Sequence, residues 1–164
     1  MVATYHSSRR ASVEAVRPTR NGSSVRLALL SEIDMLDFVQ EVSDNFGRTV
    51  GLNEDALYGV SVAVREAVTN AIVHGNGNAR HKRVFVELAR IDGDSPGIAI
   101  RVRDQGLGFD PATVADPLTP QNLTKPSGRG ILLIRTLMDE VTLQRAAEGG
   151  MEIMMVKRVQ PQAP

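Results

Sequence analysis

Hydrophobic positions in the first half of the chain recur at helical spacing. Met35, Val39, Val42, Phe46 and Val50 step by four, three, four and four residues, which lays them along one stripe, while Glu32, Asp37, Glu41 and Asp44 fall largely elsewhere. The spacing predicts a first helix, opened by a Ser31-x-x-Asp34 start that resembles a capping box and closed at Gly51. Asn53 stands where it would cap a second helix, with Glu54 and Asp55 in the first turn. Leu57, Val60, Val64, Ala67, Val68, Ala71 and Ile72 carry its apolar face to a stop at Gly75-Asn76-Gly77. Residues 24–30 read as a strand ahead of both helices.

Further along, the period falls to two. Val84, Val86 and Leu88 alternate with Phe85, Glu87 and Ala89, and Ile98, Ile100 and Val102 alternate with Ala99, Arg101 and Arg103, which predicts a hairpin around Asp92-Gly93-Asp94. Residues 106–130 are rich in Gly and Pro with little periodicity, the mark of a long functional loop. A third helix is expected from about Gly130 to Met138, and a last hairpin joins 141–145 to 151–156 across Glu148-Gly149-Gly150. Residues 1–23, rich in Ser and Arg and without a period, read as a mobile arm. The domain is expected over 24–158, with a loose tail at 159–164 and no internal repeat.

A length of 164 residues suits one domain with short tails, and 42% hydrophobic with 23% charged residues is ordinary globular composition. The absence of Cys excludes a disulfide scaffold, a Cys-ligated zinc, a thiol nucleophile and an iron–sulfur cluster, and three scattered His argue against a His-rich metal site. No stretch approaches the ~18 uninterrupted apolar residues of a membrane span, and residues 1–20 hold no apolar signal-like core, so the expected location is the cytoplasm. The formal charge of zero conceals segregation: residues 1–30 hold five Arg against one Glu, and residues 31–60 seven acids against one Arg. A basic arm followed by an acidic first helix points to a protein partner rather than to direct contact with nucleic acid.

Three clusters carry candidate chemistry. Glu66, Asn70 and His74 follow one another at i, i+4 on the second helix and form a polar line, though such a trio taken alone is more often a solvated face. Asp104-Gln105-Gly106-Leu107-Gly108 comes directly after a strand whose alternation delivers Asp104 to its end. A carboxylate there can accept a hydrogen bond from an exocyclic amine, and the glycines allow a backbone to approach a ligand, although turns and bulges also produce this pattern. Ser127-Gly128-Arg129-Gly130 opens the third helix, where unpaired N–H groups and the positive dipole end suit a phosphate; glycines closing a loop onto a helix look the same. Neither a Walker A loop nor a Rossmann fingerprint is present.

In this order, EAVTNAIVHGN, DQGLGFDP and SGRGILLIRTLMDEV resemble the nucleotide-binding boxes of the GHKL ATPase superfamily. They are most similar to the stand-alone anti-sigma-factor serine/threonine-protein kinases of the RsbW and SpoIIAB type, over roughly residues 24–158. The resemblance implies a two-layer α/β sandwich of the Bergerat (histidine-kinase-like ATPase) type. Its sheet would be mixed and mostly antiparallel, with helices on one face and ATP beneath a lid. It implies Asn70 as the Mg2+ ligand, Glu66 as acceptor of the substrate hydroxyl proton and Asp104 as the adenine-recognising carboxylate. Gly106 and Gly108 would lie beside the nucleotide, with Ser127, Gly128, Arg129 and Gly130 at the lid end over the phosphates and Lys125 as a further cation that is more often simply solvated. The implied partners are a sigma factor and a STAS-domain anti-anti-sigma protein, with a homodimer as in relatives. Relatives commonly carry Gly-Thr where this chain has Gly150-Met151, which implies the loss of one hydrogen bond, about 0.5–1.5 kcal/mol. A non-catalytic module that captures its partner stoichiometrically is the alternative. The catalytic half of a histidine kinase is disfavoured, because no phosphoacceptor-histidine helix hairpin precedes the boxes.

Overall fold

Strands β2 (Ser24–Leu30), β3 (Arg83–Ile91) and β4 (Gly97–Arg103), with the hairpin of β5 (Glu140–Arg145) and β6 (Met151–Arg158), carry the period-two pattern into one sheet. The computed structural model describes residues 14–15, 23–108 and 126–160. A two-residue strand β1 (Glu14–Ala15), within the stretch read as an arm, pairs with β2 and completes the order β1-β2-β3-β4-β6-β5. All pairings among the described residues are antiparallel, and β4 runs through the middle with β3 on one side and β6 on the other.

Alternation decides what each face meets. Leu27, Leu29, Val84, Val86, Leu88, Ile98, Ile100, Val102, Ile153 and Met155 point inward and form one buried cluster with the helices. On the opposite face a cross-strand ladder runs Arg26–Glu87 at 2.7 Å, Glu87–Arg101 at 3.8 Å and Arg101–Glu152 at 3.7 Å. The Arg103 guanidinium there sits 4.3 Å from the centre of the Phe85 ring. That polar dressing keeps the outer face in water.

Helix α1 (Leu36–Val50) buries Leu36, Val39, Phe46 and Val50 and ends at Gly51, whose φ of 100° is the left-handed turn that glycine adopts without strain. Its start differs from expectation. A single 3₁₀ turn, Ile33–Met35, precedes it with no side-chain cap, and the buried Ser31 hydroxyl oxygen instead accepts a hydrogen bond from Asn76. Helix α2 (Glu54–Asn70) is capped as predicted: the Asn53 side chain accepts from the Ala56 amide at 2.9 Å. It runs through the core and continues into a wider π-helical turn, Ala71–Gly75, in which the Asn76 amide reaches back to the Ala71 carbonyl at 2.8 Å. By length and composition the stretch Glu54–Gly75 is the one candidate membrane span among the described residues, and its Val60, Val64, Val68 and Ile72 are buried in the core. Helix α3 (Pro126–Leu137) begins four residues earlier than predicted, with proline at its first position, where its missing N–H costs nothing. Its C-terminal end is fixed by Lys157, whose ammonium donates to the Leu137 carbonyl at 2.9 Å and pairs with Asp139 at 3.2 Å.

Candidate functional site

The apolar stripe of β4, Ile98, Ile100 and Val102, continues for one more residue into Asp104, so a carboxylate is carried to the helix-covered face at the end of the central strand. Asp104 is 4% exposed. Its Oδ1 accepts from the backbone N–H groups of Gly106 at 2.8 Å and Met151 at 3.1 Å, while its own amide donates to the Met151 carbonyl at 3.0 Å. The two backbone donors hold the carboxylate in one orientation, and Oδ2 takes neither of them.

Three glycines wall this carboxylate. A Cβ at Gly75 would collide with the Asp104 carboxylate, one at Gly106 with the Gly75 carbonyl, and one at Gly150 with the Asp104 carbonyl, at 2.7 Å from Oδ1. The absence of three side chains lets the π turn, the loop after β4 and the β5–β6 hairpin close around one acidic group. Gly108, at φ +69°, adopts the left-handed conformation beside the Arg145 side chain, and a Cβ there would lie 3.1 Å from both Arg145 Nε and the Gly150 carbonyl. Arg145 in turn donates to the Leu107 carbonyl at 2.7 Å.

A second cluster lies along α2. Glu66 and Asn70, one turn apart and partly buried, lie against Gly130 of α3. A Cβ at Gly130 would overlap Glu66 Oε1 and sit 3.0 Å from Asn70 Nδ2. Gly130 therefore serves close helix packing over the two polar side chains, and the early start of α3 puts it in the second turn rather than among the free N–H groups of the helix end. Ser127 and Gly128 fall in the first turn, Arg129 is exposed beside Gly130, and Lys125 lies outside the described residues. His74 is exposed in the widened turn after Asn70.

The two clusters share one element. Asn70 closes the regular part of α2, and five residues later Gly75 rests on Asp104. Gly75 and Gly150 were legible only as turn formers, and Asn76 only as part of a helix stop. Their contacts with Asp104 and Gln105 lie 29 or more residues away in sequence.

Residues 30–157 match the family of histidine kinase-like ATPase domains, and the chain belongs to that family. It is an ATPase-type nucleotide-binding domain with an antiparallel sheet covered by helices on one face. Among its relatives is an anti-sigma F factor of Oceanobacillus iheyensis, 32% identical over 142 residues that span 85% of this chain and 94% of that protein. An anti-sigma F factor of Clostridium novyi is 30% identical over 152 residues, 90% of this chain and 92% of that one. Among solved structures, the histidine kinase domain of the blue-light activated histidine kinase from Erythrobacter litoralis EL346 aligns at 14% identity and a TM-score of 0.47, over 80% of this chain and 62% of that one.

Proposed function

We propose that the chain is an ATP-dependent serine/threonine-protein kinase and anti-sigma factor that phosphorylates a STAS-domain anti-anti-sigma partner in a cytoplasmic partner-switching pathway. The observation that carries this reading is the pairing of Glu66 with Asn70 under Gly130, on the same helix whose far end rests on Asp104. The anti-sigma F factor relatives support the sigma-factor side of the proposal.

The residues fit adenosine triphosphate and magnesium. Asp104, oriented by two backbone donors, is the acceptor for the exocyclic amine of adenine, and the glycine walls of Gly75, Gly106 and Gly150 let backbone approach the ring. Among the described residues no three His, Asp or Glu side chains converge to hold a metal. A magnesium ion bound with the nucleotide would take the Asn70 side-chain oxygen as a protein ligand. ATP supplies the phosphoryl group. Glu66 would accept the proton of the substrate serine hydroxyl, whose oxygen would replace ADP on the γ-phosphorus of bound ATP. Lys125, Ser127, Gly128 and Arg129 are assigned to the phosphates.

Incubating purified protein and magnesium ATP with a STAS protein encoded nearby tests the reading. Transfer of phosphate to serine is expected, falling by about 10²–10⁴-fold in Glu66→Gln with nucleotide binding retained. Equal transfer by wild type and Glu66→Gln removes Glu66 from the chemistry, and capture of the partner without any transfer makes the chain a stoichiometric binding module.

A further inference from the structure

Asn76, which the expected mechanism does not use, is 2% exposed and ties four segments together through one carboxamide. Its Oδ1 accepts from the Gln105 amide at 2.8 Å, and its Nδ2 donates to the Arg83 carbonyl at 2.9 Å and to Ser31 Oγ at 3.2 Å. Its backbone amide closes the π turn onto Ala71. Around it, the Arg83 amide donates to Gln105 Oε1 at 2.6 Å, and the Ser31 amide donates to the Lys82 carbonyl at 3.2 Å. Both carboxamide hydrogens and one oxygen lone pair are thus engaged, and every acceptor sits in a different stretch of chain.

The neighbours on either side of these bonds are the parts that hold the carboxylate of the candidate nucleotide site. Gly75, whose backbone abuts the Asp104 carboxylate, directly precedes Asn76, and Gln105, whose amide Asn76 receives, directly follows Asp104. A displacement at Asn76 therefore moves the Gly75 wall and the 104–105 peptide at once.

We infer that Asn76 is a positioning residue for nucleotide recognition: its carboxamide sets the Asp104 carboxylate against the end of α2 so that it can read the exocyclic amine of a purine. The inference rests on Asp104 being the base-reading group. Without Asn76, the Gln105 N–H and the Arg83 carbonyl lose their partners inside the protein, and the peptide after Asp104 is free to turn toward water.

Calorimetric titration with adenosine diphosphate and with inosine diphosphate, both with magnesium, tests it. Inosine carries a carbonyl oxygen where adenine carries the amine, so the affinity ratio reports the presentation of Asp104 independently of the fraction of protein folded. Wild type is expected to bind adenosine diphosphate about tenfold or more tightly than inosine diphosphate, and Asn76→Ala to bring that ratio to within about twofold of unity. Asn76→Ser keeps a polar group too short to reach Gln105 and is read in the same way where the alanine variant folds too poorly to titrate. A merely structural role weakens both nucleotides together and leaves the ratio at its wild-type value, and that result in the variant overturns the inference while the base-reading role of Asp104 stands. A wild-type chain with no preference for adenosine diphosphate takes both down.

Discussion

Gly130 of α3 lies so close to Glu66 of α2 that a methyl group at its Cβ position would occupy the place of the carboxylate oxygen Oε1. Helix α3 and the proposed proton acceptor are therefore in register only because residue 130 has no side chain.

Gly130→Ala adds that methyl. Helix propensity alone favours alanine by about 1 kcal/mol, but the steric conflict pushes α3 from α2 or turns Glu66 aside. Phosphate transfer is expected to fall by about tenfold or more, since small misplacements at a reacting centre are costly. Single-turnover transfer assays beside thermal melts check this, and full activity in the variant would mean that the observed approach of the two helices is irrelevant to catalysis.

Asp104→Asn retains shape but replaces a charged acceptor by an amide. Loss of a charge-assisted hydrogen bond, about 1.5–3 kcal/mol, corresponds to roughly 10–150-fold weaker ATP binding. Titration calorimetry reads it directly, and unchanged affinity places the adenine elsewhere.

Met151→Thr exchanges a buried thioether, 6% exposed, for a hydroxyl beside the carboxylate that the residue's own amide supports. The hydroxyl is expected to tighten ATP binding by up to about tenfold, while the lost apolar burial lowers stability by about 1 kcal/mol or more. Opposite movements of affinity and melting temperature are the signature; no gain in affinity would show that the pocket does not use that position.

Asn53→Ala removes the α2 cap at the opposite end of the helix from Glu66 and Asn70. A loss of about 1 kcal/mol is expected, some 2–4 °C in Tm for a domain of this size, with nucleotide affinity unchanged. A stability loss accompanied by weaker binding would contradict the independence of the two.

Much of the architecture was legible from local pattern. The 3.6-residue stripe of α1, the Asn53 cap, the alternation of β3 and β4 and the glycine hairpin before β6 each depend on neighbours a few residues apart, and each forms as the pattern implies. Misreadings arose where a distant partner competed with a local role. Ser31 has the spacing of a cap, but its hydroxyl oxygen accepts from Asn76, 45 residues on. Gly130, expected at the opening of α3, lies in its second turn and meets Glu66, 64 residues back along the chain.

The sequence by itself determined the elements, their apolar faces and the order of the three polar clusters, because periodicity and capping are properties of short stretches of chain. Which residues meet was decided by tertiary structure alone. Side-by-side pairing of β4 with β6 brings Met151 to Asp104, packing of α3 on α2 brings Gly130 to Glu66, and one buried carboxamide at Asn76 joins the helix end to the strand end. Those contacts span from about 30 to more than 60 residues of chain, and they are selected by burial of the common core, which competing arrangements would leave partly in water.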